Sequence, residues 1–154
     1  MTEQYLSQEK YDALEKELLE LTTVKRTAIA TLLDEAKAHG DLKENAEYHQ
    51  AREDQAHLEE RVREIEYLLK HGIILHDTQH TIVEVGSQVT ISKVDSDQQK
   101  TYTVVGPAEA DPLEGRLAYT SPLIQAMMGK QSGDRFMFTT PDGNEVEWEV
   151  IKVK

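Results

Sequence analysis

The sequence predicts an α+β protein. An antiparallel coiled-coil hairpin is expected over residues 1–77, followed over residues 78–154 by a small, mostly antiparallel sheet domain with one short helix. Three observations carry this reading. Residues 7–39 contain neither Pro nor Gly and are dominated by charged residues and good helix formers. Apolar side chains recur at alternating spacings of three and four on both sides of a single break at Gly40. After about His71 the chain turns to Gly, Pro and β-branched residues in short alternating segments.

Ser7 stands at a natural N-cap position for the first helix. The apolar seam of that helix runs through Tyr11, Leu14, Leu18 and Leu21 and continues at Ala28 and Leu32, with Lys25 where an apolar residue would fit. Gly40 suits the end of the helix because it takes the left-handed conformation without a Cβ penalty. Asp41 is then expected to cap the second helix, and Glu44, three residues on, to close a capping box. Both acids would also meet the positive end of the helix dipole. The second helix runs to about Lys70, with Tyr48, Ala51, Leu58, Val62, Ile65 and Leu69 on one face, Gln55 interrupting them and Gly72 closing the element.

Helices joined by so short a connection run antiparallel, and each has a narrow apolar stripe that the other covers. About 30 residues per helix make an arm of roughly 45 Å. Such an arm is too thin to enclose a pocket, so its tip acts by reaching into something.

In the second half, "QVTISKV", "KTYTVVG", "DRFMFTT" and "EVEWEVIKV" read as strands. The last sets Val146, Trp148 and Val150 on one face and Glu145, Glu147 and Glu149 on the other. "SPLIQAMMGK" begins with a Ser cap and Pro at the first helical position and stops at Gly129. "HGIILHDTQH" joins the two halves.

Net charge is −12, and both halves are acidic. Unassisted binding to a nucleic-acid backbone is therefore not expected, because phosphate affinity rests mainly on Lys and Arg; a basic partner surface is the better match. There are no cysteines, which removes disulfides, thiolate zinc sites and a Cys nucleophile. The polar N-terminus is no signal peptide, and no apolar run approaches the roughly 20 residues of a membrane span. A cytoplasmic monomer without membrane contact is expected.

Catalytic signatures are weak. "MMGKQS" has the Gly-Lys of a phosphate loop, but Ile124 stands where the earlier glycine is required. "SQEK" matches Ser-x-x-Lys on paper, and helix capping explains it better. His71, His76 and His80 cluster near the junction without standard zinc spacing. Asp41 and Glu44 alone cannot satisfy magnesium, which wants six oxygens. If they serve chemistry beyond capping, a partner supplies the rest of the site, and they add a ligand for a metal ion or orient water in a phosphoryl-transfer centre. Lys37 and Arg52 lie near the tip, as helix-surface charges or as contacts to a phosphate backbone.

The stretch "GDLKENAEYHQARE", followed by "EERVREIEYLL", closely resembles the signature of the GreA/GreB family of bacterial transcript cleavage factors. The resemblance continues through "VEVGSQVTI", "YTVVGPAEADP", "SPLIQAMMGK" and "EVEWEVIKV" and covers nearly the whole chain. It implies an FKBP-like second domain that docks beside the secondary channel of bacterial RNA polymerase, while the hairpin enters that channel. It implies further that Asp41 and Glu44 help the polymerase's own active centre hold its second Mg2+ and activate water, so that backtracked RNA is cut and elongation resumes. No cofactor of the chain's own follows. By the same resemblance Lys37 and Arg52 contact the extruded RNA 3′ end, and Ser121, Pro122, Leu123 and Ile124 dock on the polymerase. Within the family the pattern favours the GreA branch, which implies short cleavage fragments.

Two other readings stand beside this one. A channel-occupying relative would inhibit polymerase without promoting cleavage, and the intact acid pair argues against it. A prolyl isomerase would need an aromatic-lined pocket from Tyr102, Tyr119, Phe136, Phe138 and Trp148, several of which read as core.

Overall fold

In a computed structural model of the chain, which describes residues 2–40, 44–76 and 78–154, the elements fall into two units. One comprises Glu9–Gly72, the other Met1–Gln8 together with Ile73–Lys154. The fold is mixed helix and sheet, a helical hairpin followed by a sheet domain. The division differs from the expected 1–77 and 78–154 at both ends of the hairpin.

The hairpin unit holds a first helical limb and α3 (Ala46–His71). The first limb is helical without interruption, as α1 (Gln8–Glu20), a π-helical turn (Leu21–Lys25) and α2 (Arg26–Lys37). The π turn overturns part of the expected seam. Leu14 is buried before it, but beyond it the buried residues are Leu33 and Ala36, with Ile29 half-buried, while Ala28 and Leu32 face solvent. Hydrogen bonds from i to i+5 take one more residue than an α turn, so the stripe moves forward by one position. This removes the anomaly at Lys25, which lies in the π turn and is exposed. The Thr22 hydroxyl donates to the Leu18 carbonyl at 2.8 Å and that of Thr23 to Leu19 at 2.6 Å, satisfying acceptors beside the irregular turn. On α3, which has no such turn, Ala51, Leu58, Val62, Ile65 and Leu68 are buried at regular spacing.

Two cross-limb ion pairs bracket the π turn. Arg61 holds both Glu17 carboxylate oxygens at 2.8 and 3.1 Å, and Arg26 holds both of Glu59 at 3.0 Å. Hydrogen bonding from Arg61 lowers the Glu17 pKa from its ordinary value, a pull stronger than the opposing effect of burial.

The sheet unit holds a five-stranded sheet made of β3 (Gln88–Lys93), β4 (Gln99–Val105), β5 (Arg116–Ala118), β6 (Arg135–Thr139) and β7 (Glu145–Val153). Their order is β5-β4-β3-β7-β6. All pairs are antiparallel except β4 with β5. The four expected strand segments each form a strand. The core comprises Val83, Val89, Ile91, Val104, Ile124, Met127, Phe136 and Val150, with α4 (Pro122–Met127) packed on the sheet through Ile124 and Met127.

Three short strands lie outside the expected set, β5 at the edge of this sheet and two more that form a separate pair. β1 (Tyr5–Ser7) pairs in parallel with β2 (Ile73–Leu75), a segment expected to be a connection. Leu6 is fully buried there. Ser7 donates to Glu109 through its backbone N–H at 2.9 Å and its hydroxyl at 2.6 Å, so the hydroxyl expected to serve as a helix cap is committed to this bond as well. Tyr5 meets Tyr119 edge to face, and the Tyr119 hydroxyl donates to the Glu3 carbonyl. A Cβ on Gly106 would stand 2.0 Å from the Tyr5 carbonyl oxygen, so only glycine admits this approach. These contacts carry residues 3–7 into the sheet unit.

Candidate functional site

At the arm tip, α2 ends in a tightened turn. The Ala38 N–H donates to the Asp34 and Glu35 carbonyls and the His39 N–H to the Ala36 carbonyl. Gly40 then takes φ +110°, the positive-φ role read from the sequence. Asp41, the first of the two expected tip acids, lies outside the described residues. The capping expectation itself is corrected. The N-cap of α3 is Asn45, whose side-chain oxygen accepts from the N–H groups of Glu47 at 3.1 Å and Tyr48 at 3.2 Å. The Asn45 amide nitrogen meanwhile donates to the Ala36 carbonyl at 2.7 Å. One side chain thus caps the outgoing helix and ties it to the last turn of the incoming one. Glu44 falls one residue before the cap instead of three after it, and is exposed. Its carboxylate is available to a partner, and its backbone is held from one side by Asn45.

Lys37 is the last residue of α2 and is exposed; Arg52 lies in the second turn of α3, exposed, donating to the Gln55 side chain at 3.1 Å. Both flank the tip. Among the described residues no group of three or more His, Asp or Glu side chains is placed to hold a metal ion. Glu44 therefore has no metal-binding company within the described part of its own chain.

The expected docking segment begins α4. Ser121 is its N-cap and Pro122 its first residue. Pro122 is exposed and Leu123 half-buried, whereas Ile124 is fully buried in the core. Ile124 thus has no surface to offer and serves by anchoring the helix that presents its neighbours. The Ser121 hydroxyl oxygen is buried without a hydrogen-bond partner. As for an aromatic-lined isomerase pocket, Phe136 lies in the core and Tyr102, Tyr119, Phe138 and Trp148 pack against it.

The described part of the arm tip thus presents an exposed acid without further metal-binding side chains beside it, and the other unit is a small filled sheet. Comparison with known proteins supplies the family. Residues 78–154 match the family described as "Transcription elongation factor, GreA/GreB, C-term", and residues 4–74 match "Transcription elongation factor, N-terminal". The transcription elongation factor GreA of Paracoccus denitrificans is 41% identical over 145 residues, covering 94% of this chain and 92% of its own. That of Bacillus cytotoxicus is 38% identical over 151 residues, covering 97% and 95%. A crystal structure of the GreA factor homolog 1 protein of Thermus thermophilus aligns over 99% of both chains at 25% identity and a TM-score of 0.46. The chain belongs to the GreA/GreB family of transcription elongation factors, and its relatives are named for that role. No helix among the described residues is long and apolar enough to cross a membrane.

Proposed function

We propose that the chain binds bacterial RNA polymerase, inserts its hairpin into the secondary channel and stimulates the polymerase's intrinsic cleavage of backtracked RNA. The observation that carries this is the tip. Glu44 is exposed at the end of a two-helix arm, next to a side chain that clamps both helices, and so offers a carboxylate where only a partner can complete a site. Two carboxylates cannot fill an octahedral magnesium shell, so the metal belongs to the polymerase active centre, and when bound there it supplies the Lewis acid for phosphodiester hydrolysis. In that complex Asp41 and Glu44 add oxygen ligands or orient water. Lys37 and Arg52 neutralise phosphates of the extruded RNA 3′ end. Ser121, Pro122 and Leu123 dock on the polymerase while Ile124 holds them in place. The chain contributes no complete active site of its own, acts as a monomer and works in the cytoplasm.

The test is RNA cleavage in a purified, backtracked bacterial elongation complex with magnesium, comparing the wild type with Asp41→Ala/Glu44→Ala. Wild type is expected to release short 3′ fragments, and the double variant to bind equally well and release none above the intrinsic rate. Equal cleavage by both would overturn the role of the acids. Binding and slowing by both without any cleavage would make the arm a plug.

A further inference from the structure

The arm carries a groove beside its tip that the proposed function leaves unused. It lies between α2 and α3. Ala36 and Ala51, each 2% exposed, form its floor, and Ala46 continues it toward the tip. Side chains this small leave a trough between the two helices. Leu32 forms one wall and is 50% exposed, because the register change at the π turn places it outside the seam. Its apolar surface is therefore not spent on the hairpin's own packing. Asn45, at the start of α3, donates to the Ala36 carbonyl at 2.7 Å, so the two sides of the groove are tied together before any partner arrives.

The charge of the rim selects the occupant. Glu35, Glu47 and Asp54 line the groove, and among the described residues no Lys or Arg does so. His39 is the one lining side chain there that can carry positive charge, and a single imidazolium does not balance three carboxylates. None of the three acids is in an ion pair among the described residues. Asp54 accepts from the neutral Gln50 amide at 2.9 Å, which leaves its charge in place. Lys37 and Arg52, both near the tip, stand outside the lining, and Arg52 is turned to Gln55. Three carboxylates repel RNA phosphates, so the occupant is protein. An apolar floor under an acid rim fits Lys and Arg side chains, whose methylene stems lie on the alanines and Leu32 while their cations meet the carboxylates.

We propose that this groove receives a Lys- or Arg-bearing segment of the polymerase, with its cations opposite Glu35, Glu47 and Asp54 and its aliphatic stems on Leu32 and the alanine floor. The inference rests on the polymerase-binding reading and adds to it a protein contact on the flank of the arm, separate from the tip acids. Charge pairing on one flank fixes how the arm is turned about its long axis, and so where Glu44 points.

The experiment measures binding of the full chain to core RNA polymerase at two salt concentrations, for wild type, Glu35→Lys, Asp54→Lys and the control Glu60→Lys, which reverses an exposed acid of α3 outside the groove. Thermal melting confirms that each variant is folded. In parallel, the full chain with photoreactive benzoylphenylalanine in place of Leu32 is cross-linked to the purified polymerase, and the attached peptide is identified by mass spectrometry. Each groove reversal is expected to weaken binding about tenfold or more and to make its salt dependence shallower, because like charges then face each other. Glu60→Lys, with the same change in net charge, should stay within about twofold of wild type. The cross-linked peptide is expected to carry Lys or Arg. Tight wild-type binding that the folded groove variants retain, or that Glu60→Lys weakens as much as they do, overturns the groove assignment and leaves the polymerase reading intact. So does the absence of a cross-link to a Lys- or Arg-bearing peptide. Absence of wild-type binding overturns the polymerase reading, and the groove assignment with it.

Discussion

Asn45 sets the geometry of the tip through three hydrogen bonds, two accepted from the start of α3 and one donated to the end of α2. Asn45→Ala loses all three. It is expected to destabilise the hairpin by roughly 1–2 kcal/mol, the usual cost of a lost cap, and so to lower its urea midpoint in far-UV circular dichroism. Asn45→Asp separates the two functions, since a carboxylate still caps α3 but cannot donate to the Ala36 carbonyl. It should recover most of the stability yet stimulate RNA cleavage less than wild type, because Glu44 is less firmly placed. Full cleavage by Asn45→Asp would show that the cross-helix bond does not position the tip. The residue types of the tip are legible in the sequence, but the cap is not. Asp41 with Glu44 and Asn45 with its following helix are both acceptable capping patterns, four residues apart. What distinguishes them is a bond from Asn45 to a residue nine positions earlier, which local spacing does not encode. Gly106 is opaque for a similar reason, since the oxygen it must admit belongs to Tyr5.

At the level of the elements, the helix and strand periodicities identify the hairpin limbs and four strands because each buries one face. The π turn escapes this reading. A one-residue insertion in a seam resembles a single misplaced polar residue, here Lys25, and the downstream pattern at Ala28 and Leu32 remains plausible although Ile29 and Leu33 are the residues facing α3. The turn predicts its own repair. Deleting Val24, which is 63% exposed and forms no part of the seam, should convert the turn to regular α-helix and leave Leu14, Ile29, Leu33 and Ala36 on one stripe. The melting temperature is expected to stay within a few degrees of wild type. Deleting Ala56 from the regular α3 shifts Leu58, Val62 and Ile65 out of line with Ala51 and should melt the hairpin. Equal damage from the two deletions would mean that the π turn is not an insertion in register. The cross-limb pairs of Glu17 with Arg61 and Glu59 with Arg26 would then hold the register by themselves.

For the whole molecule, the chain is not divided where its composition changes. The sheet unit draws its first strand from the N-terminus, ahead of the entire hairpin, and the pairing of β1 with β2 brings the two ends of the hairpin's sequence together within that unit. Composition places the boundary near residue 77, because three-residue strands such as "YLS" and "IIL" are too short to show a period. The consequence is that an N-terminal side chain supports a C-terminal domain. Leu6 is fully buried, and its removal leaves a cavity that the clamp of Tyr5 on Tyr119 and Ser7 on Glu109 keeps from collapsing. Leu6→Ala should therefore destabilise the sheet unit by about 2–5 kcal/mol, the range for leucine truncation in a packed core. Trp148, the chain's single tryptophan, lies on β7 of that unit and reports its unfolding directly. The expected result is a clear shift of the urea midpoint followed by Trp148 fluorescence. An unchanged midpoint would show that β1 is an appendage, and that residues 78–154 hold the sheet without it.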